Sequence, residues 1–159
     1  MFESMDHHPN EDLLIDHAAG TLPPAASLLV ATHLALCPAC RRVDRALDAV
    51  GGALLDLAEA APVRTRCEDV LARIDHDLAP APVKAGRWDG ETINLIPQPL
   101  RGYLDRNVGE LRWRKVNSAL GEVALDVGDK RGRASLMRIK AGGAMPRHSH
   151  GGEIGRAHV

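Results

Sequence analysis

Apolar residues recur every three or four positions in the first 80 residues of the chain. The recurrence falls into four segments that begin near Asn10, Pro24, Pro38 and Thr65. An apolar stripe with this period is typical of an amphipathic helix, and asparagine and proline are common where helices begin. Four short helices are therefore predicted, and the third has the longest stripe, formed by Val43, Leu47, Val50, Leu54 and Leu57.

The pattern changes after residue 80. Prolines and glycines interrupt residues 81–100, which have no helical period and are predicted to form a partly extended linker. In residues 101–153 apolar and polar positions alternate, with glycines between the runs, as in the strands of an antiparallel sheet. The predicted fold class is α + β, with an N-terminal four-helix domain (1–80) and a partial antiparallel β part (101–153).

Candidate zinc ligands lie where the second predicted helix meets the third. His33 and Cys37 are four residues apart, which places them one turn apart on the same side of a helix. Pro38 is expected to break that helix and start another, which would bring Cys40 back toward the first two. Imidazole and thiolate are good zinc ligands, although the two cysteines could instead be small core residues. We therefore predict a tetrahedral zinc site.

Spacing alone leaves the fourth ligand open. His7, His8, Asp16 and His17 all have suitable chemistry and lie close in sequence. The third cysteine, Cys67, is predicted in the first turn of the fourth helix, where a buried or unused thiol is expected. Four short helices with few aromatic residues bury little apolar area, and a bound metal would supply the missing stability.

Composition and charge narrow the class of partner. The 159 residues are 45% hydrophobic and 26% charged, and we expect a soluble protein of the reducing cytoplasm, without a signal peptide or membrane span. Residues 1–80 hold six basic and 13 acidic side chains, a net charge of −7, whereas residues 81–159 carry +6. An acidic helical part is repelled by nucleic acid and suits a basic protein surface.

The zinc motif stands in an acidic helical segment that His7 and His8 precede. Together with three further runs, this segment resembles the N-terminal domain of zinc-binding anti-sigma factors of the ChrR type. The resemblance implies that His8 is the fourth ligand and that the zinc site is closed and structural. The three runs are Ala18-Ala19-Gly20-Thr21-Leu22, Val30-Ala31-Thr32-His33-Leu34 and Ala46-Leu47-Asp48-Ala49-Val50-Gly51-Gly52.

The resemblance also implies a partner. Domains of this family bind a sigma factor of the extracytoplasmic-function (ECF) class and keep it from RNA polymerase. The contact is expected to use exposed apolar residues of the helices, including Val70, Leu71 and Ile74, although these residues could instead close the helical bundle. The inducing signal would be oxidative and would act through the C-terminal part.

The C-terminal part contains a second histidine motif. Gly142, five intervening residues and His148-Ser149-His150 form a pattern that resembles the first metal motif of a cupin. The family carries a cupin-like C-terminal domain, which would bind a second metal if complete. However, Glu153 comes too early for the cupin glutamate, Ile154 takes the nearest expected position, and the strands amount to half a barrel. We therefore expect an incomplete site at His148 and His150.

We interpret the last residues of the sequence as not belonging to the natural protein. Residues 153–159 resemble the translation of a sequencing-library adapter, so residues 154–159 are expected to be a non-native tail.

Two other functions compete with the anti-sigma interpretation. One is a metal-dependent cupin enzyme or sensor with a helical appendage, which needs the glutamate and final histidine that the chain lacks. The other is a redox protein that uses Cys37 and Cys40 as a dithiol, which is more typical of a βαβ context. We predict a regulator without catalytic activity that contacts neither nucleic acid nor a membrane.

Overall fold

The protein is described by a computed structural model that covers residues 7–61, 65–77, 88–128 and 132–145. The N-terminal part is helical, as the apolar period predicts. Its four helices are α1 (Glu11–Ala18), α2 (Pro24–Leu36), α3 (Pro38–Leu57) and α4 (Cys67–Asp77).

Local sequence explains where the first helices begin and end. The Asn10 side chain accepts a hydrogen bond from the backbone N–H of Leu13 at 3.0 Å and caps α1. Gly20 follows α1 with a φ of +69°, a conformation that favours glycine. Pro24 and Pro38 occupy the first positions of α2 and α3, where a missing N–H costs nothing.

Helix α2 is the centre of the N-terminal part. It contacts α1, α3 and α6, a short helix further along the chain. The first hydrophobic core forms around it from Leu14, Val30, Leu34, Cys37 and Cys40, with Leu22 and Leu47 partly buried against them. Buried positions lie around the whole helix, which matches its almost entirely apolar sequence.

The structure differs from the extended linker expected for residues 81–100. Helices α5 (Gly90–Leu95) and α6 (Gln98–Arg101) lie there, and both are too short to produce a visible period. The carboxylate of Asp89 accepts a hydrogen bond from the N–H of Thr92 at 2.7 Å, which caps α5 and lowers the pKa of Asp89. The buried Thr92 hydroxyl in turn accepts the N–H of Val108 at 2.8 Å.

A three-stranded antiparallel sheet follows a 3-10 turn at Val108–Glu110. The strands are β1 (Arg114–Lys115), β2 (Leu120–Leu125) and β3 (Ala134–Ile139), in the order β1-β2-β3. The register pairs Leu120 with Ile139 and Leu125 with Ala134. The predicted α + β class is therefore confirmed, with helices before an antiparallel sheet.

A second hydrophobic core lies between this sheet and the helices that precede it. Ile96, Val108 and Leu111 are its buried members, and the partly buried residues around them come from α6, β2, β3 and the intervening turns: Leu100, Leu104, Trp113, Val123 and Leu136. Helices α5 and α6 therefore pack with the sheet and not with the four-helix part alone. The predicted second metal motif, His148 and His150, and the suspected tail (154–159) lie outside the described residues.

Candidate metal centre

The corner between α2 and α3 brings His33, Cys37 and Cys40 close to one another. Helix α2 ends at Leu36, and Cys37 is extended, with φ −100° and ψ 107°. Pro38 cannot continue the α2 hydrogen-bond ladder because it has no N–H, and α3 begins there instead. The backbone N–H of Cys40 points toward the Cys37 sulfur at 3.5 Å. The predicted break at Pro38, with Cys40 turned back toward His33 and Cys37, is confirmed.

Four side chains from three parts of the chain converge at this corner. The Nδ1 atom of His8 lies 3.5 Å from Cys37 Sγ and 3.3 Å from Cys40 Sγ, and His33 Nε2 lies 3.3 Å from Cys40 Sγ. All four candidate ligand atoms are within 4.8 Å of one another. The nitrogen–sulfur edge of a tetrahedral zinc site is about 3.5 Å, given the usual Zn–S and Zn–N bond lengths. The donor set and its spacing therefore fit zinc.

The surroundings of the ligand atoms also suit a closed metal site. His33, Cys37 and Cys40 are buried, while His8 covers the cluster from the outside. Burial lowers the pKa of His33, and a nearby His8 charge lowers it further, so the imidazole is neutral at pH 7 and has a lone pair to give. The rings of His8 and His33 meet edge to face, with centroids 5.7 Å apart.

The two thiols have different proton affinities. Burial raises the pKa of Cys37, but hydrogen bonds to its sulfur and the charge of Arg41 outweigh burial and leave that pKa below its usual value. The pKa of Cys40 is raised to about 11, first by burial and then by the neighbouring Cys37. Without a metal, Cys40 is thus protonated at pH 7. A bound cation would replace that proton.

The other candidate ligands lie elsewhere. His17 Nδ1 is 3.5 Å from the Ser27 hydroxyl, and the Asp16 carboxylate accepts a hydrogen bond from Thr21. His7 is exposed and is not in the cluster. Of the four residues that spacing left open, His8 alone joins His33, Cys37 and Cys40.

The third cysteine is not part of this site either. Cys67 is exposed at the first position of α4. Of the two possibilities that the sequence left for it, a buried thiol or an unused one, the first is therefore wrong. The two thiols of the cluster each lie beside an imidazole, which favours a metal site over a dithiol redox pair.

Comparisons with known proteins bear on the metal and on the family of this chain. A zinc-finger family model matches residues 11–41. The chain is 40% identical over 149 residues to the anti-sigma-E factor ChrR of Cereibacter sphaeroides, an alignment that covers 92% of this chain and 66% of that protein. It also matches the crystal structure of Rhodobacter sphaeroides SigE in complex with the anti-sigma ChrR, with 37% identity and a TM-score of 0.62. That match covers 84% of this chain and 67% of the other.

This chain belongs to the ChrR family of anti-sigma factors. It spans about two thirds of the length of the relative that it matches in sequence, 66%. A structural zinc belongs to its N-terminal domain, as the sequence predicts. In a ChrR-family domain with small cores, zinc would contribute folding free energy directly because the ligands converge only in the folded chain. Among the described helices, none is both long and apolar enough to cross a membrane.

Zinc uptake by the metal-free ChrR-family chain should release protons. Cys40 is protonated at pH 7 because its pKa is about 11, and zinc binds the thiolate, so we expect at least about one proton released per zinc. The apparent affinity should then rise with pH, roughly tenfold per pH unit for each proton released. Isothermal titration calorimetry in two buffers of different ionisation enthalpy measures the number of protons released per zinc bound. A heat that is the same in both buffers would contradict this expectation, and Cys67→Ser is the control that should leave the count unchanged.

Proposed function

We propose that this chain is an anti-sigma factor that sequesters an ECF-type sigma factor from RNA polymerase, without catalytic activity of its own. The name of the 40%-identical relative and the SigE–ChrR complex support this function. The observation on this chain that carries it is a set of apolar side chains left in solvent on two helices of the acidic part.

The first exposed set lies on α3. This helix has 20 residues and is longer than α1 and α2, which have 8 and 13. Of the residues in its apolar stripe, only Leu47 packs against the first core. Further along, Val50, Leu54 and Leu57 remain exposed, Leu54 by 63% and Leu57 by 82%. An amphipathic face of this size that no described element covers indicates a protein partner.

The second exposed set lies on α4. Val70, Leu71 and Ile74 share one face of the helix and are 41%, 54% and 50% exposed. Among the described residues they do not join either hydrophobic core, which favours partner contact over the alternative that they close the helical bundle. We call the six residues on the two helices the apolar docking residues: Val50, Leu54, Leu57, Val70, Leu71 and Ile74.

The charges around these residues favour a basic partner. The arginines of α3 (Arg41, Arg42 and Arg45) lie toward its start, whereas Asp48 and Asp56 flank its exposed apolar residues. On α4, Glu68 and Asp69 lie in the first turn and Arg73 lies further along. Sigma-factor surfaces that meet DNA and polymerase are expected to be basic, and an acidic helical surface would compete for them. The net charge of −7 over residues 1–80 also argues against direct contact with nucleic acid.

In this proposal zinc has a structural role. His8, His33, Cys37 and Cys40 would fill all four tetrahedral positions of a bound zinc and leave no position for a catalytic water. The metal would tie the segment before α1 to the α2–α3 corner and hold the helices that present the apolar docking residues.

The remaining parts of the chain complete the proposal. Residues 1–80 form the anti-sigma domain, and residues 101–153 form the cupin-like part, to which α5 and α6 are attached through the second core. The cupin-like part would act in the response to an oxidative signal, and His148 and His150 would bind a second metal only in a complete cupin. We place the protein in the cytoplasm, where sigma factors act, with no membrane contact.

Co-expression with the sigma factor encoded by the neighbouring gene tests the proposal. A tagged chain should co-purify with that sigma factor at one to one, contain one zinc per chain, and suppress sigma-dependent transcription in vitro. A folded, zinc-loaded chain that neither retains the sigma factor nor suppresses transcription would refute the function while leaving the metal site intact.

A further inference from the structure

An arginine next to the zinc motif bridges the two helices that carry it. Arg41 lies in the first turn of α3, directly after Cys40. Its Nη1 atom donates to the backbone carbonyl of Leu34 at 2.7 Å and to that of Ala35 at 3.1 Å, both in the last turn of α2. The arginine thus fastens the start of one helix to the end of the other.

These two carbonyls lack their usual partners because of the corner itself. In a continuous helix the Leu34 carbonyl would accept the N–H of residue 38, and Pro38 has none. The Ala35 carbonyl would accept the N–H of Ala39, but α2 has already ended at Leu36. The Arg41 guanidinium supplies both donors, and a cation is also favoured at a helix C-terminus. The break at Pro38 therefore depends on Arg41 for its hydrogen bonds.

The same corner determines the distances between the candidate ligands. His33 lies on α2 and Cys40 on α3, and their ligand atoms are 3.3 Å apart across the corner. A change in the angle between the helices would move these two atoms relative to each other. The Nη1 atom donates to two adjacent carbonyls at once, and this pair of contacts restricts that angle more than a single contact would.

We propose that Arg41 is a positioning residue for the zinc site, which holds the α2–α3 corner at the angle that keeps His33, Cys37 and Cys40 in ligand geometry. The inference rests on the proposed ligand set and adds a residue that does not itself touch the metal. Partners of this outer kind typically change metal affinity by about 10- to 100-fold.

The neighbouring arginine provides a matched control. Arg42 Nη1 lies 3.4 Å from the carbonyl of Pro38, within its own helix, and makes no bridge to α2. Both side chains can be replaced by methionine, which keeps the length of an apolar stem and removes the donors. Arg41→Lys restores a charged donor on a side chain that is one bond shorter than the path to Nη1.

The test compares zinc affinity and cobalt spectra of the full chain, Arg41→Met, Arg41→Lys and Arg42→Met. We expect Arg41→Met to lose about tenfold or more in zinc affinity and to release zinc correspondingly faster to a chromogenic chelator. Its Co(II) form should have weaker and shifted visible d–d bands, because the tetrahedral geometry is disturbed. Arg41→Lys should recover part of the affinity, and Arg42→Met should match the unmodified chain.

Wild-type zinc affinity together with an unchanged cobalt spectrum in Arg41→Met would overturn the proposal. If Arg41→Met does not fold even with zinc, Arg41→Lys decides, since a release rate equal to that of the unmodified chain would overturn it and a faster one would support it. Failure of the ligand assignment has a different signature, because Cys37→Ser would then keep its zinc whatever residue 41 is.

Discussion

Cys37→Ser is expected to abolish stoichiometric zinc binding, unfold much of the N-terminal part and remove most of the affinity for the sigma factor. A serine hydroxyl is a poor zinc ligand, and three remaining donors cannot hold a structural zinc as four do. Structural zinc contributes about 10–16 kcal/mol in zinc-finger peptides, whereas whole domains are stable by only about 5–15 kcal/mol. Losing even a third of the free energy that zinc contributes would therefore remove much of the free energy of unfolding of this small domain.

The measurement is zinc per chain after gel filtration, together with the thermal midpoint and sigma-factor retention. Cys37 is buried beside Leu14, Val30 and Leu34, so the zinc-free variant also leaves a hydroxyl in the first core. Cys67→Ser is the matched control, because that thiol is exposed and outside the cluster. One zinc equivalent retained in Cys37→Ser would show that this cysteine is not a ligand.

Leu54→Asp and Leu71→Asp are expected to reduce sigma-factor affinity by roughly 30-fold or more each, with zinc content and thermal midpoint unchanged. Both side chains are exposed in the free chain, so a carboxylate there costs the fold little. At an interface the same carboxylate would be buried against apolar surface, and burying an unpaired charge costs at least about 2 kcal/mol, which corresponds to roughly 30-fold in affinity. The dissociation constant can be measured by calorimetry or biolayer interferometry.

Ile93→Asp provides the control for this pair. Ile93 lies on α5, is 48% exposed, and therefore tests the same chemical change at similar exposure outside the acidic helices. We expect its sigma affinity to equal that of the unmodified chain. Equal losses in all three variants, or no loss in Leu54→Asp and Leu71→Asp, would show that the apolar docking residues are not the contact.

The zinc motif shows how far sequence reasoning reaches at this site. The spacing of His33, Cys37 and Cys40 and the break at Pro38 are local features, and the structure reproduces them because neighbouring residues determine both. The fourth member is different. His8 is separated from Cys37 by 29 positions, so spacing does not distinguish it from His7, Asp16 and His17. The family resemblance implied His8, and the packing of the segment before α1 brings His8 to the cluster.

Arg41 was missed by sequence reasoning, although a signal was present. A proline in the middle of a ligand motif leaves the Leu34 carbonyl without a donor, and a cation one turn later is a natural replacement. Only the tertiary structure shows that Arg41, and not Arg42, turns toward α2.

By itself, the sequence determined the helices around the motif, the antiparallel strands, the choice of zinc chemistry and the acidic character of the helical part, because periodicity, proline and ligand type act over one or two turns. Only the tertiary structure decided that α5 and α6 join the sheet core and that the stripe on α3 beyond Leu47 stays in solvent. It also brings His8, which the family resemblance implied and spacing left open, to the cluster. An apolar stripe indicates that a helix has a face to bury. Whether that face meets the chain's own core or another protein depends on the lengths and positions of distant elements, which no local pattern contains.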